Sequence, residues 1–95
     1  MSKLNLELFI NGNGHVSVAA IDMLTAICRE QLADNYQLEI IDIQLDPDRA
    51  EAAGILAIPT LIRKWPLPVT RLIGALTIRS RVLVGLGFPQ AENSA

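Results

Sequence analysis

Residues 57–61 read AIPTL, and the proline in this stretch decides how the chain folds. Pro59 interrupts the apolar segment ILAIPTLI, which otherwise has the composition of a strand. Proline has no backbone N–H, so it is confined to strand starts, bulges and sheet edges. We therefore expect a strand that is entered at Pro59, and the elements on either side determine the fold that contains it.

Two strands and a helix are predicted before this stretch. Residues 4–10, LNLELFI, carry apolar side chains at every second position, which is typical of a strand with one buried face. The turn residues NGNG, 11–14, end that strand. Apolar residues then recur at helical spacing from Val16 to about Ala33. Residues 38–43, LEIIDI, are rich in β-branched side chains and predict the second strand.

A short helix is predicted between the second strand and AIPTL. Asp46 suits its N-cap, Pro47 its first position and Gly54 the position just beyond its end. The helix is short, and we expect it to lie on the surface.

The chain after AIPTL predicts a hairpin. Pro66 and Pro68 forbid continued strand pairing, so residues 63–68, RKWPLP, are predicted to turn. Residues 69–73, VTRLI, then read as a fourth strand, which Gly74 closes. The hairpin therefore joins the strand entered at AIPTL to this fourth strand.

A last helix is predicted near the end of the chain. Thr77 suits its cap, and Gly87 and Pro89 suit its end. Residues 70–88 are nevertheless apolar enough that strand and helix interpretations compete, above all in RVLVGL, 81–86.

The predicted order is strand, helix, strand, helix, strand, strand, helix. A strand–helix–strand unit followed by a hairpin and a closing helix resembles the α/β thioredoxin-like arrangement, with a mixed four-stranded sheet. A chain of 95 residues is one small domain. We expect that domain to span residues 1–88, followed by a flexible tail at 89–95.

The composition excludes several classes of function. No apolar run approaches the roughly 20 residues that span a bilayer, and the first ten residues lack the features of a signal peptide, so a cytoplasmic protein without a membrane partner is expected. The net charge is −2 and the eight Lys and Arg residues are spread along the chain, which argues against nucleic-acid binding. One Cys and one His exclude a disulfide framework and an ordinary zinc site, so no metal or cofactor is expected.

Thioredoxin-like enzymes have a redox-active cysteine at a fixed position, and this sequence has no cysteine there. That thiol lies just after the first strand, where the helix dipole lowers its pKa. Residues 11–17, NGNGHVS, occupy this place and contain no cysteine. Cys28 lies on the apolar stripe of the helix, as a buried core thiol would. Disulfide exchange is therefore not expected, and neither is any catalytic residue.

Three other features near this position have alternative interpretations. His15 is either a base or, without a carboxylate in its loop, a surface residue at the helix start. Asp42 is either a buried acid with a raised pKa or a hydrogen-bonded or solvated group near the strand end. NGNG is either an anion cradle at a helix N-terminus or a plain turn.

A candidate protein-interaction surface lies around the proline turn. Arg63, Lys64 and Arg71 bracket the turn and converge if the hairpin forms. They are either a solvated rim or a contact for an acidic partner. Trp65 lies among them, and an exposed amphipathic ring is typical of an interface anchor.

The chain resembles the KaiB family of small cyanobacterial clock proteins. The resemblance runs from about residue 4 to residue 86 through LFINGN, IIDIQLDP, AEAAGILAIPTLIRKWPLPVTRLIG and RVLVGL. Its most specific part is the pattern PTL followed by P-x-PV-x-R-x-IG, which is carried by Pro59, Thr60, Leu61, Pro66, Pro68, Val69, Arg71, Ile73 and Gly74. This pattern without a CxxC motif is not that of a thioredoxin.

The resemblance implies a non-enzymatic adaptor that binds a KaiC-like ATPase ring and recruits further clock or signalling proteins. It also implies two folds: a thioredoxin-like monomer, and a ground state of dimers or tetramers with the order strand-helix-strand-strand-helix-helix-strand. The sequence departs from clock members after Gly74, where it reads ALTIRSR, and at Gly87, where an acidic residue is usual. The alternative functions are a stress-response or regulatory module for another ATPase or kinase, and a thioredoxin-like redox protein.

Overall fold

The computed structural model describes residues 3–33, 35–74, 76 and 78–88, and its elements follow the predicted order. Thr77, Pro89 and the tail at 89–95, for which a cap, a helix end and flexibility are predicted, lie outside the described residues. The elements are β1 (Leu4–Ile10), α1 (His15–Leu32), β2 (Tyr36–Asp42), α2 (Pro47–Ala52), β3 (Thr60–Trp65), β4 (Thr70–Ile73) and α3 (Arg79–Leu86).

The four strands form one mixed sheet in the order β2-β1-β3-β4. β1 and β2 are parallel and are joined by α1, whereas β1–β3 and β3–β4 are antiparallel. This is the predicted thioredoxin-like arrangement. The helices divide between the two faces of the sheet, which we call the α1 face, covered by α1 and α3, and the α2 face, covered by α2.

The main core lies on the α1 face. Leu6 and Leu8 of β1 and Ile27 of α1 are 0% exposed, and Val82 of α3 is 1% exposed. Each such side chain contributes about 1.5–3 kcal/mol when it leaves water. Packing of the two helices against β1 therefore supplies most of the apolar stabilisation.

A smaller core lies on the α2 face, and it corrects the prediction that β1 has one buried face. Phe9, Ile41 and Ile62 are buried there beneath Ala50 and Ala53. The alternation placed Phe9 among exposed positions, but its side chain is 1% exposed because α2 and its flanking loops cover that end of the sheet. The strand is buried on both faces where it ends.

Several strand boundaries differ from the prediction; among them, β2 ends at Asp42 rather than at residue 43, and β4 begins at Thr70 rather than at residue 69. β2 begins at Tyr36 rather than at residue 38, because it pairs with β1 from the Leu4↔Tyr36 position onward. Residues 63–65 belong to β3 and not to the turn, since the register pairs Arg63 with Leu6 and Trp65 with Asn5. A bulge accommodates Lys64 between these pairs. Pro66 and Pro68 therefore stop the strand only where they themselves would have to pair.

The helix ends follow the predicted signals, with two exceptions at the N-caps. Pro47 opens α2, and Gly54 lies just beyond it at φ +67°, the left-handed conformation that glycine adopts most readily. Gly87 ends α3 at φ +94°. Asp46 is the N-cap of α2, but its side chain makes no capping hydrogen bond. The N-cap of α3 is Ile78, one residue after the predicted Thr77.

α3 packs closely on β4 through a glycine. A Cβ atom at Gly85 would lie 2.3 Å from a methyl carbon of Leu72. Such a distance is far inside van der Waals contact, so a larger residue must displace the Leu72 side chain. Gly85 is therefore fixed by packing, although it lies inside a helix.

We expect Gly85→Ala to destabilise this fold by about 1–2 kcal/mol in urea unfolding, because overpacking costs roughly 1–3 kcal/mol and the gain in helix propensity is at most about 1. In a Leu72→Ala background, Gly85→Ala should no longer destabilise the fold, because the side chain with which it clashes has been removed. Val84→Ala, on the exposed side of α3, is the control. Stabilisation by Gly85→Ala in the wild-type background would contradict this packing.

Candidate functional site

The place that holds the thiol in a redox enzyme is an open cleft. It has a volume of about 410 Å³ and lies between the start of α1 and the loop before β3. His15, Val16 and Ser17 line one side, and Ile58 and Pro59 line the other. None of these five residues carries a thiol. The cleft has the position of a redox site without its reactive group.

Cys28 is part of the core, as the sequence predicts. Its side chain is 0% exposed and belongs to the cluster on the α1 face. Burial disfavours the thiolate and raises the pKa of the Cys28 thiol to about 11. The thiolate is the nucleophile in disulfide exchange, so this residue has neither the access nor the ionisation that exchange needs.

We expect Ellman's reagent to react with Cys28 at least about a hundredfold more slowly in the native protein at pH 8 than in urea, because the thiol is buried and protonated. The folded state keeps a proton that the unfolded chain loses near pH 9. This burial therefore adds pH dependence: stability is lost as the pH rises from about 9 towards 11. Cys28→Ala should flatten that decline. Rapid labelling of the native protein would show that the thiol is accessible.

Asp42 is a hydrogen-bonded group at the end of β2. Its Oδ1 accepts the backbone N–H of Gly12 at 3.1 Å and that of Gln44 at 2.9 Å. The side chain of Gln44 in turn donates to Oδ1 of Asn11 at 2.6 Å. These bonds tie the loop after β1 to the loop after β2. Of the two alternatives for Asp42, the structure therefore supports a hydrogen-bonded group near the strand end.

The NGNG segment forms a turn, and His15 is the first residue of α1. Gly12 has φ +68°, which favours glycine, and its N–H is held by Asp42. The His15 side chain is exposed. Within the described part of the chain, no group of three or more His, Cys, Asp or Glu residues could hold a metal ion. None of the helices described there is long and apolar enough to cross a membrane.

The three cations of the predicted interaction surface are divided between the two faces of the sheet. Arg71 lies opposite Ile62 on the α2 face, and Lys64 reaches Glu7 on that face at 3.9 Å. Arg63 lies opposite Leu6 and therefore points to the α1 face. The hairpin forms as predicted, but strand alternation prevents the three side chains from converging on one patch.

Arg63 and Arg71 also act within the fold. The Arg63 guanidinium donates to the carbonyl of Pro68 at 3.2 Å and to Oγ1 of Thr70 at 3.1 Å, which holds the hairpin turn. The Arg71 guanidinium donates to the carbonyls of Ala53 and Gly54 just after α2. A cation at a helix C-terminus also satisfies carbonyls that have no partner in the helix. Neither arginine is therefore simply a solvated residue at the rim of the surface.

The tip of the hairpin is apolar and exposed. Trp65 is 41% exposed, as expected of an interface anchor, and Leu67 and Val69 are 64% and 51% exposed. Leu67 and Val69 were not predicted to belong to the interaction surface. Their signal was available, because apolar residues between and beside prolines in a turn have no strand face on which to be buried. We call Trp65, Leu67 and Val69 the hairpin tip.

A charged network on the α2 face was not predicted. Arg49 donates to Glu7 at 3.0 Å and to Glu39, so it joins α2 to both β1 and β2. These bonds raise the pKa of Arg49 and lower that of Glu39. The three residues come from three elements, and only the folded chain brings them together.

The fold and this surface define a class of protein: a thioredoxin-like domain without the redox pair. Solved structures support the thioredoxin-like fold. The N-terminal domain of SasA from Synechococcus elongatus superimposes with a TM-score of 0.76 at 20% identity, over 90% of this chain and 81% of that one. Mitochondrial thioredoxin 3 from Saccharomyces cerevisiae superimposes with a TM-score of 0.73 at 15% identity, over 90% and 78% of the two chains.

The sequence comparisons identify the family. The model of the KaiB domain matches residues 7–88. The circadian clock protein KaiB3 of Synechocystis sp. is 43% identical over 86 residues, which are 90% of this chain and 84% of that protein. The circadian clock oscillator protein KaiB of Synechococcus elongatus is 43% identical over 87 residues, which are 92% and 85% of the two chains. The chain belongs to the KaiB family. KaiB proteins are non-enzymatic regulators, so the prediction that the chain is not an enzyme is confirmed.

Proposed function

We propose that this chain is an adaptor of the KaiB class that binds a KaiC-like ATPase ring and acts in the circadian clock or in related regulation. The observation that carries the proposal is the KaiB domain match over residues 7–88, which covers almost the whole chain. The same match supports a single functional domain spanning residues 1–88. The relatives named as clock oscillator proteins support the clock as its setting.

The hairpin tip and the cations beside it are the proposed contact with the ring. Trp65 and Leu67 offer apolar surface that is exposed in the monomer, and aromatic residues of this kind often dominate binding energy. Lys64 is half exposed and is 3.9 Å from its carboxylate partner, so much of its charge remains available to an acidic surface. Arg71 contributes by holding the hairpin against α2, and Arg63 by holding the turn. Pro59, Pro66, Pro68 and Gly74 set the ends of the two hairpin strands.

We expect the chain to co-elute with a KaiC-like ATPase ring in size-exclusion chromatography with light scattering, when mixed in ATP. Trp65→Ala combined with Leu67→Ser should weaken binding at least about tenfold, since the anchor is lost. Lys64→Glu should slow association and reduce its salt dependence. Arg29→Glu, an equal charge change on α1 and therefore on the opposite face of the sheet, is the matched control.

The outcome also separates this function from its alternative, a regulatory module for another ATPase or kinase. Under the adaptor proposal, the KaiC-like ring forms a complex that depends on the hairpin tip. Binding to a histidine kinase or an unrelated ATPase, without binding to any KaiC-like ring, would overturn the proposal in favour of the alternative.

The second half of the chain is the proposed site of a rearrangement to the order strand-helix-strand-strand-helix-helix-strand. RVLVGL forms α3 here, yet it holds the β-prone run Val82, Leu83 and Val84. Only Val82 and Leu86 of this helix are buried, so few contacts hold it in place. Burial of a few aliphatic side chains in a dimer or tetramer interface, at about 1.5–3 kcal/mol each, is enough to favour another packing.

We expect NMR spectra to contain two sets of signals for residues 70–88, with the thioredoxin-like set favoured by dilution, because association stabilises whichever form oligomerises. Gly85→Ala should shift the populations towards the rearranged form, since its clash with Leu72 belongs to the packing described above. Val84→Ala serves as the control. A single set of signals at all concentrations, with a strand at 70–73 and a helix at 79–86, would show one fold.

A further inference from the structure

The NGNG segment contains two Asn-Gly pairs, Asn11-Gly12 and Asn13-Gly14, and no other asparagine of the chain precedes a glycine. An asparagine in such a pair can lose its side-chain amide without an enzyme, when the backbone nitrogen of the glycine attacks the side-chain carbonyl carbon. Glycine favours this attack because it has no Cβ atom and its backbone rotates freely. The two pairs have the same local chemistry, so any difference in their reactivity comes from the folded structure.

The first pair is restrained at both of its reacting groups. The Gly12 N–H donates to Oδ1 of Asp42 at 3.1 Å, and Oδ1 of Asn11 accepts the side-chain N–H of Gln44 at 2.6 Å. Before it can attack, the Gly12 nitrogen must lose its proton beside a carboxylate, and a neighbouring negative charge disfavours that ionisation. Loss of a hydrogen bond to a charged group slows such a step by about tenfold or more.

The second pair lacks these restraints. Asn13 and Gly14 are both exposed. Within the part of the chain that the structure describes, the Gly14 N–H donates to no acceptor and the Asn13 side chain makes no hydrogen bond. A Cβ atom at Gly14 would have no neighbour within 4 Å, so the surroundings are open. The Gly14 nitrogen is therefore free to approach the side chain of Asn13.

We propose that Asn13 is a site of spontaneous deamidation in the native protein and that the fold protects Asn11 from the same reaction. The Gly14 nitrogen gives its proton to hydroxide and forms a bond to Cγ of Asn13. The Cγ–Nδ2 bond then breaks, and the amide group takes a proton from water and leaves as ammonia. Water opens the resulting cyclic imide, so each event consumes one water, releases one ammonia and needs no oxidant or reductant.

The cyclic imide gives two products. When the bond from the Gly14 nitrogen to Cγ breaks, residue 13 becomes aspartate; when the bond to the main-chain carbonyl carbon breaks, it becomes isoaspartate, which lengthens the main chain by one carbon. Either product adds a negative charge just before α1, where the helix dipole favours an anion. Gly14 and His15 line the cleft beside Pro59, so the modification adds its charge next to that cleft.

Mass spectrometry can compare the two asparagines within one molecule, because the tryptic peptide of residues 4–29 contains both. The protein is incubated at 37 °C and pH 8, digested, and analysed by electron-transfer fragmentation, with a sample at time zero to measure deamidation during digestion. In the native protein Asn13 should deamidate at least about tenfold faster than Asn11. In urea the two should react at similar rates, because the bonds that restrain Asn11 and Gly12 are absent from the unfolded chain.

Two substitutions test the site and its protection separately. Asn13→Gln should stop the reaction at residue 13, since the longer side chain would have to close a six-membered ring. Asp42→Ala frees the Gly12 N–H and should accelerate deamidation of Asn11 at least about tenfold, whereas Asn13 should change less. Asp48→Ala, an exposed carboxylate of α2 that makes no bond to the NGNG segment, is the matched control. Circular dichroism verifies that each variant is folded.

Three results would overturn the proposal. If native Asn11 reacts as fast as Asn13, the fold does not distinguish the two pairs. If native Asn13 reacts no faster than Asn5, which precedes a leucine, the folded turn prevents the attack. If Asp42→Ala leaves the rate at Asn11 unchanged in a folded protein, the carboxylate is not the protecting group. None of these results depends on binding to a KaiC-like ring.

Discussion

The pairing of β1 on both of its edges, with burial on both of its faces, is the constraint on which the rest of the structure depends. β1 is parallel to β2 on one side and antiparallel to β3 on the other. Leu8 faces the core of α1 and α3, and Phe9, the next residue, faces the core beneath α2. A strand that is held in this way has one register, because a slip of one residue would exchange the two cores.

The remaining elements differ in how firmly they are attached to this centre. α1 contributes four fully or almost fully buried residues to the main core, namely Ala20, Leu24, Ile27 and Cys28. α2 has no buried residue, and polar bonds hold it in place: Arg49 bonds to the sheet and Arg71 bonds to its C-terminal end. Such exposed bonds contribute less than burial does. α2 is therefore attached to the sheet less firmly than α1.

The cleft beside Pro59 shows how a thioredoxin-like fold can lack the redox group. The cleft between the start of α1 and Pro59 is present, and the chain's thiol lies instead in the core, where its pKa is raised. Without a nucleophile there, the prominent exposed features of the chain are apolar side chains and charges. Those features suit recognition of other proteins, which agrees with membership of the KaiB family.

The sequence by itself determined the order of the elements, the mixed sheet and the absence of redox chemistry. Periodicity locates elements because each depends on local spacing, and Pro47, Gly54 and Gly87 mark helix ends through backbone preferences that act within one turn. The sequence alone could also place Cys28 in the core, because the residues at helical spacing from it are apolar. The family pattern around Pro59 further indicated which relatives to expect.

Only the tertiary structure decided which side chains meet. It buried Phe9 by placing α2 over it, and it joined Arg49 to Glu7 and Glu39 across three elements. It also separated Arg63 from Arg71, because their register positions face opposite sides of the sheet, although the sequence suggested one cluster. Contacts of this kind depend on strand order and register, which are set by long-range packing and leave no local signal in the chain.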